Sequence, residues 1–126
     1  DYQYSLSRIK VLEHIYIFAE KLQAAVVDLN QGYYLLFCTK KIIEIETDNY
    51  QRIELIDSIY SNTISTISMG IGYGITAKEA KNNALYGSSV ANMQGGNRAY
   101  LVYENKKLAG PIIGVKNTKD LKDDCI

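Results

Sequence analysis

Tryptophan is absent from this 126-residue chain, histidine occurs once and cysteine twice. A single histidine cannot supply a Cys/His zinc set, and no cluster with zinc-ligand spacing accompanies it. Cys38 sits in an apolar run and Cys125 is the penultimate residue. Nothing in their placement points to a disulfide, so a reducing, cytoplasmic setting is the expectation. No apolar run reaches the ~18–20 residues of a membrane-spanning helix, and no secretory leader is visible. Neither sign of charge is in excess: 14 acidic and 14 basic side chains give a formal net charge of +0. That balance removes the general attraction towards nucleic acid or an anionic membrane. The Lys40-Lys41 and Lys106-Lys107 pairs are too sparse to restore it. No P-loop and no GxSxG element occurs, and Ser88-Ser89 has no base placed beside it.

What is present reads as one modest domain. The chain begins at Asp1 without a methionine, which reads as a piece of a longer protein. Asp1 to Ser7 is polar and expected to be loose, with Ser5 or Ser7 capping a helix from about Arg8 to Gln23. Leu12, Ile15, Tyr16, Ala19 and Leu22 recur there at helical spacing, and His14 falls beside the stripe as a rim residue. Two apolar runs, 24–29 and 33–38, flank Asn30-Gln31-Gly32 and predict a hairpin, because Asn and Gly accept the positive φ of a tight turn. Thr39 caps a short helix, and residues 51–60 form another. Asp48, Glu54 and Asp57 are read as a solvated face. From Thr63 to Tyr73 the residues alternate: Ile67, Met69, Ile71 and Tyr73 on one side, Thr66, Ser68, Gly70 and Gly72 on the other.

Thr76 and Glu79 have the spacing of a capping box, and the helix that follows runs to about Gln94. Ala77, Ala80, Ala84, Gly87, Ser88 and Ala91 give it a face of small side chains, fit for close packing on a sheet. Gly95-Gly96 ends it, and Arg98 to Tyr103 is a last strand. A turn follows at 104–107, and Gly110-Pro111 precedes a short apolar run. Gly70-Ile71-Gly72-Tyr73-Gly74 is GxGxG, not the dinucleotide-binding GxGxxG, and its neighbours are not a parallel βαβ repeat. The expected class is α+β: an antiparallel sheet of about four strands with helices mainly on one face.

The ordered set Ser68-Met69-Gly70-Ile71-Gly72, Thr76-Ala77-x-Glu79-Ala80, Asn83-Ala84 and Gly95-Gly96-Asn97-Arg98 resembles the second half of a GGDEF domain, and more distantly an archaeal GTP cyclohydrolase III. The resemblance covers about Val27 to Tyr103. It implies a ferredoxin-like, nucleotide-cyclase-like sheet spanning residues 1–116, with 117–126 as a linker or tail. Active members hold GTP and Mg²⁺ at the signature hairpin through carboxylates. Here the two acidic positions fall on Gly32 and Tyr33, which cannot replace them. The place of a phosphate-contacting lysine falls on Asn92. No match to the family's first strand precedes Arg8, unless Tyr2–Ser5 is a remnant.

The resemblance therefore implies a non-catalytic sensory or dimerisation module of a bacterial regulator, with no catalytic residue, no metal and no cofactor. The partners it implies are a second copy and a nucleotide or other small ligand, with no membrane and no direct nucleic-acid contact. The candidate ligand-binding residues are Asn30, Gln31, Gly32, Ser68, Gly70 and Asn97. The alternatives are a GTP-dependent enzyme, and a purely structural interaction domain that uses the small-residue strand face.

Overall fold

Residues 2–114 are described by the structure, a computed structural model. The tail expected at 117–126, with Cys125, lies outside them. The element order is α1 (Tyr2–Leu22), β1 (Ala25–Asn30), β2 (Tyr33–Phe37), α2 (Lys40–Glu46), α3 (Glu54–Asn62), β3 (Ser68–Gly72), α4 (Ala77–Met93), β4 (Arg98–Tyr103) and β5 (Lys107–Ile113). The chain divides into two compact units, Asp1–Ser65 and Thr66–Ile126.

In the first unit, α1 begins at Tyr2, six residues earlier than the expected start near Arg8. Neither Ser5 nor Ser7 is a cap. Ser7 lies inside the helix, buried, and its hydroxyl is 2.8 Å from that of Ser65. A tertiary partner therefore replaces the local cap that its side chain suggested, and Tyr2–Ser5 is helix, not a remnant strand. Ile15, Phe18, Ala19 and Leu22 turn inward from α1 and pack against α3. Leu55, Ile56 and Ile59 of α3, Leu35 of β2 and Ile43 of α2 complete this core. Ile56 and Ile59 are 1% and 0% exposed, so each contributes about 2–3 kcal/mol by burial.

β1 and β2 pair antiparallel from Ala25↔Phe37 to Asn30↔Tyr33, with a register shift between Asp28 and Asn30. Thr39 caps α2, its Oγ1 accepting from the Ile42 amide at 3.3 Å. Thr47, fully buried, ends that helix: its hydroxyl donates to the Ile43 carbonyl at 2.6 Å and accepts from the Tyr50 amide at 3.0 Å.

The second unit is a three-stranded sheet in the order β3-β4-β5, covered by α4. β3 and β4 are parallel, from Ser68↔Arg98 to Gly72↔Val102, and β5 pairs antiparallel with β4. Class α+β holds, but one antiparallel sheet of about four strands does not form among the described residues. Five strands divide into a hairpin and a mixed sheet. The reason lies in the connections. A crossing helix between β3 and β4 returns the chain to the same end of the sheet and so makes the pair parallel. β5 occupies the stretch read as a turn and a short apolar run. Pro111 is tolerated because β5 pairs on one side only.

The alternation read over 63–73 has a direct counterpart. The small face of β3 lies under the small face of α4. A Cβ at Gly70 would overlap the Ala84 carbonyl oxygen and come within 2.5 Å of the Ser88 amide nitrogen; one at Gly72 would overlap Ala80 and Ala84 backbone. From the helix side, a Cβ at Gly87 would sit 3.1 Å from the Gly70 Cα. Gly70→Ala is therefore expected to destabilise the chain by ~3 kcal/mol, because backbone atoms cannot retreat as a flexible side chain would. Gly95 has φ +107° and nothing within 4 Å of a Cβ, so Gly95→Ala is expected to cost only ~1 kcal/mol, from backbone strain alone. Urea unfolding followed by circular dichroism measures both.

Candidate functional site

The six predicted residues fall in both units. Asn30, Gln31 and Gly32 form the β1–β2 turn, with φ of 70°, 57° and 85°. All three are exposed. The Asp28 carboxylate folds back onto the turn, its Oδ1 accepting from the Asn30 amide at 2.7 Å. Gly32 and Tyr33 offer a bare backbone and a phenol. The turn thus presents left-handed backbone and amide side chains to solvent, and its nearest carboxylate already has a hydrogen-bond donor.

Ser68, Gly70 and Asn97 belong to the second unit and lie at one end and the middle of the β3–α4 contact. Gly70 is covered by α4, as above. The Ser68 carbonyl accepts from the Ser88 hydroxyl at 3.3 Å. The Ser68 side-chain oxygen lies 3.1 Å from where a Cβ on Gly96 would sit. Asn97 has φ 55° and is 9% exposed, which makes it part of the compact Gly95-Gly96-Asn97 turn and not an open surface. Ser68 and Asn97 therefore come near one another around Gly96, while the exposed face of the hairpin turn is a separate feature of the first unit.

The start of α4 is also engaged internally. Thr76 Oγ1 accepts from the Glu79 amide at 3.1 Å, and Glu79 Oε2 accepts from the Ile75 amide at 3.2 Å. The carboxylate reaches one residue further back than a capping box requires, to the amide before the N-cap, so it fixes the chain's entry into α4. The buried Asn83 pins the same helix to the strand end, donating to the Tyr73 carbonyl at 2.6 Å. At the other end the Tyr100 hydroxyl donates to Gln94 Oε1.

Sequence reasoning missed an open cleft of about 340 Å³ in the first unit, lined by Leu22, Gln23, Phe37, Cys38, Thr39 and Ile42. The signal available was weak: Cys38 following an apolar strand. The end of α1, the end of β2 and the first turn of α2 form it, and its lining carries no formal charge. Such a cleft offers apolar wall from Leu22, Phe37 and Ile42 and no cation to pair with a phosphate. Cys38 is a free thiol, and burial pushes its pKa up from the ordinary thiol value. Among the described residues no three His, Cys, Asp or Glu side chains converge as a metal site would need. Nor is any described helix long and apolar enough to cross a membrane.

Comparison with protein-family models, with curated proteins and with solved structures finds no match to this chain.

The raised thiol pKa gives a directional prediction. With Cys125→Ser to remove the second thiol, Cys38 is expected to react with iodoacetamide more slowly at neutral pH than an unstructured cysteine. The rate should climb with a midpoint above the ordinary thiol value. A folded thiol that holds its proton more tightly adds stability that is fully present below the unfolded pKa. That stability is lost as pH rises through the folded pKa. Cys38→Ser should therefore flatten the alkaline fall in stability, read by urea midpoints across the thiol range.

Proposed function

We propose that this chain is a non-catalytic, GGDEF-like module of a bacterial signalling or transcription regulator, working through self-association in the cytoplasm. The observation that carries the reading is the hairpin turn. The resemblance places the nucleotide- and metal-gripping carboxylates there, and Asn30-Gln31-Gly32-Tyr33 has none. Asp28, the nearest acid, bonds the Asn30 amide. A triphosphate with Mg²⁺ needs converging acids to hold the metal and positive charge or free amides to hold the phosphates. The exposed turn supplies neither carboxylates nor cations.

The packing of α4 on β3 supports the same reading from the other unit. The small-residue face could have been the floor of a groove, but α4 fills it with its own backbone. Ser68, Gly70 and Asn97 then shape the fold, and the ligand-sensing version of the proposal rests on the exposed Asn30, Gln31 and Gly32.

Incubation with GTP and Mg²⁺, followed by chromatography, is expected to return unchanged GTP. Turnover that disappears in Asp28→Ala would overturn the proposal in favour of an enzyme. Isothermal titration with GTP, ATP and cyclic dinucleotides decides the sensor version: heat that is lost in Asn30→Ala supports it, and no heat with any of them removes it.

A further inference from the structure

Helix α1 is apolar on two sides. Ser7, Ile15, Phe18, Ala19 and Leu22 are buried within the first unit. Tyr2, Leu6, Ile9, Tyr16 and Ile17 are 79, 36, 56, 51 and 53% exposed. At ~100° per residue the two sets point in roughly opposite directions, so no rotation of α1 on its unit buries both. Tyr4, on the inner side of the first turn, is 61% exposed as well, so the start of α1 stands clear of its unit, but the five exposed residues above share one side, as a ridge along most of the helix. Its members at 2, 6, 9 and 16, with Glu13 and Glu20 in the intervening places, follow the alternating three- and four-residue spacing of a helix that meets another helix.

We propose that this ridge is the seam of a homodimer in which α1 packs antiparallel against α1 of a second copy. This deepens the self-association part of the proposed function and rests on it only for the expectation that two copies meet. The spacing selects a helix as occupant, and the charges select its direction. A parallel pair would stack Glu13 on Glu13 and Glu20 on Glu20 along the seam, where like charges repel. An antiparallel pair with its two-fold axis at the height of Val11 sets Leu6 opposite the second copy's Tyr16 and Ile9 opposite its Glu13. It also brings Lys10 beside that Glu13, twice over by symmetry. Fully covered, exposures of this size on five large side chains amount to on the order of 550 Å² per copy, about 1,100 Å² for the pair, which is in the range of weak or transient interfaces. Area of this size fits a reversible dimer, whose dissociation constant the concentration series below reads.

Light scattering on the whole chain, from about 1 to 500 µM, reads the outcome. The expected result is a dimer fraction that rises with concentration. Ile9→Glu with Tyr16→Glu should leave a monomer throughout, with helix circular dichroism unchanged, since both positions are more than half exposed. Lys10→Glu and Glu13→Lys should each weaken the dimer about tenfold, and the two together should restore it. A dimer indifferent to Ile9→Glu and Tyr16→Glu overturns the α1 seam while leaving self-association standing. A dimer broken by them but not rescued by the charge exchange overturns the antiparallel arrangement. A chain that stays monomeric to the top of the range overturns the seam and the self-association reading together, whatever other protein or vesicle then takes the ridge.

Discussion

Helix α4 lies on strand β3 with almost no side chain between the two backbones, and the second unit depends on that contact. Glycine is costly in a strand and in a helix interior, by ~0.5–1 kcal/mol at each position relative to alanine. Gly70, Gly72 and Gly87 together therefore cost about 1.5–3 kcal/mol. What they permit is larger. With the helix this close, Ala91, Val102 and Tyr100 are 0%, 0% and 4% exposed, and burying a side chain the size of Val102 or Tyr100 is worth ~1.5–3 kcal/mol. Asn83 and Ser88 then bond strand carbonyls instead of water. The crossing that α4 makes also dictates that β4 runs parallel to β3, so one close contact fixes both packing and topology.

That contact changes what the small residues mean. A strand face of serine and glycine is ambiguous on its own, because either a ligand or another backbone can use the space. Here the space belongs to the helix. The hairpin turn of the first unit is the reverse case: its left-handed residues are exposed, and its one carboxylate stabilises the turn. Among the described residues, no three His, Cys, Asp or Glu side chains converge in either place.

The features legible in the sequence were the ones decided locally. Thr76 and Glu79 announced the start of α4, because both groups and both donors lie within one turn. Asn30 and Gly32 announced the hairpin, because both accept the positive φ they adopt there, while Gln31 at φ 57° gave no such signal. The features missed were decided at a distance. Ser7 reads as a cap until Ser65, 58 residues away, takes its hydroxyl. Gly110-Pro111 reads as a break until β4 supplies the one ladder that an edge strand needs. Strand pairing itself, two strands here and three there, is written in no single segment. The cleft beside Cys38 was invisible for the same reason, since α1, β2 and α2 each supply part of its wall.

α1 shows how far one helix can be asked to serve two burials. Its inner stripe is accounted for by α3 and α2, with the Lys21–Glu54 pair at 2.8 Å on the surface nearby. An exposed pair of that kind contributes well under ~1 kcal/mol, so it does not explain why the opposite side carries tyrosine, leucine and isoleucine. The outer ridge is exposed in the folded and the unfolded chain alike, so it adds little to the stability of the lone chain and contributes when another surface covers it. If a second copy does so, the native state is favoured by mass action, and the stability of the first unit acquires a term set by chain concentration. Folding and assembly are then linked through a single helix, with its inner side holding the unit together and its outer side reporting whether a second chain is present.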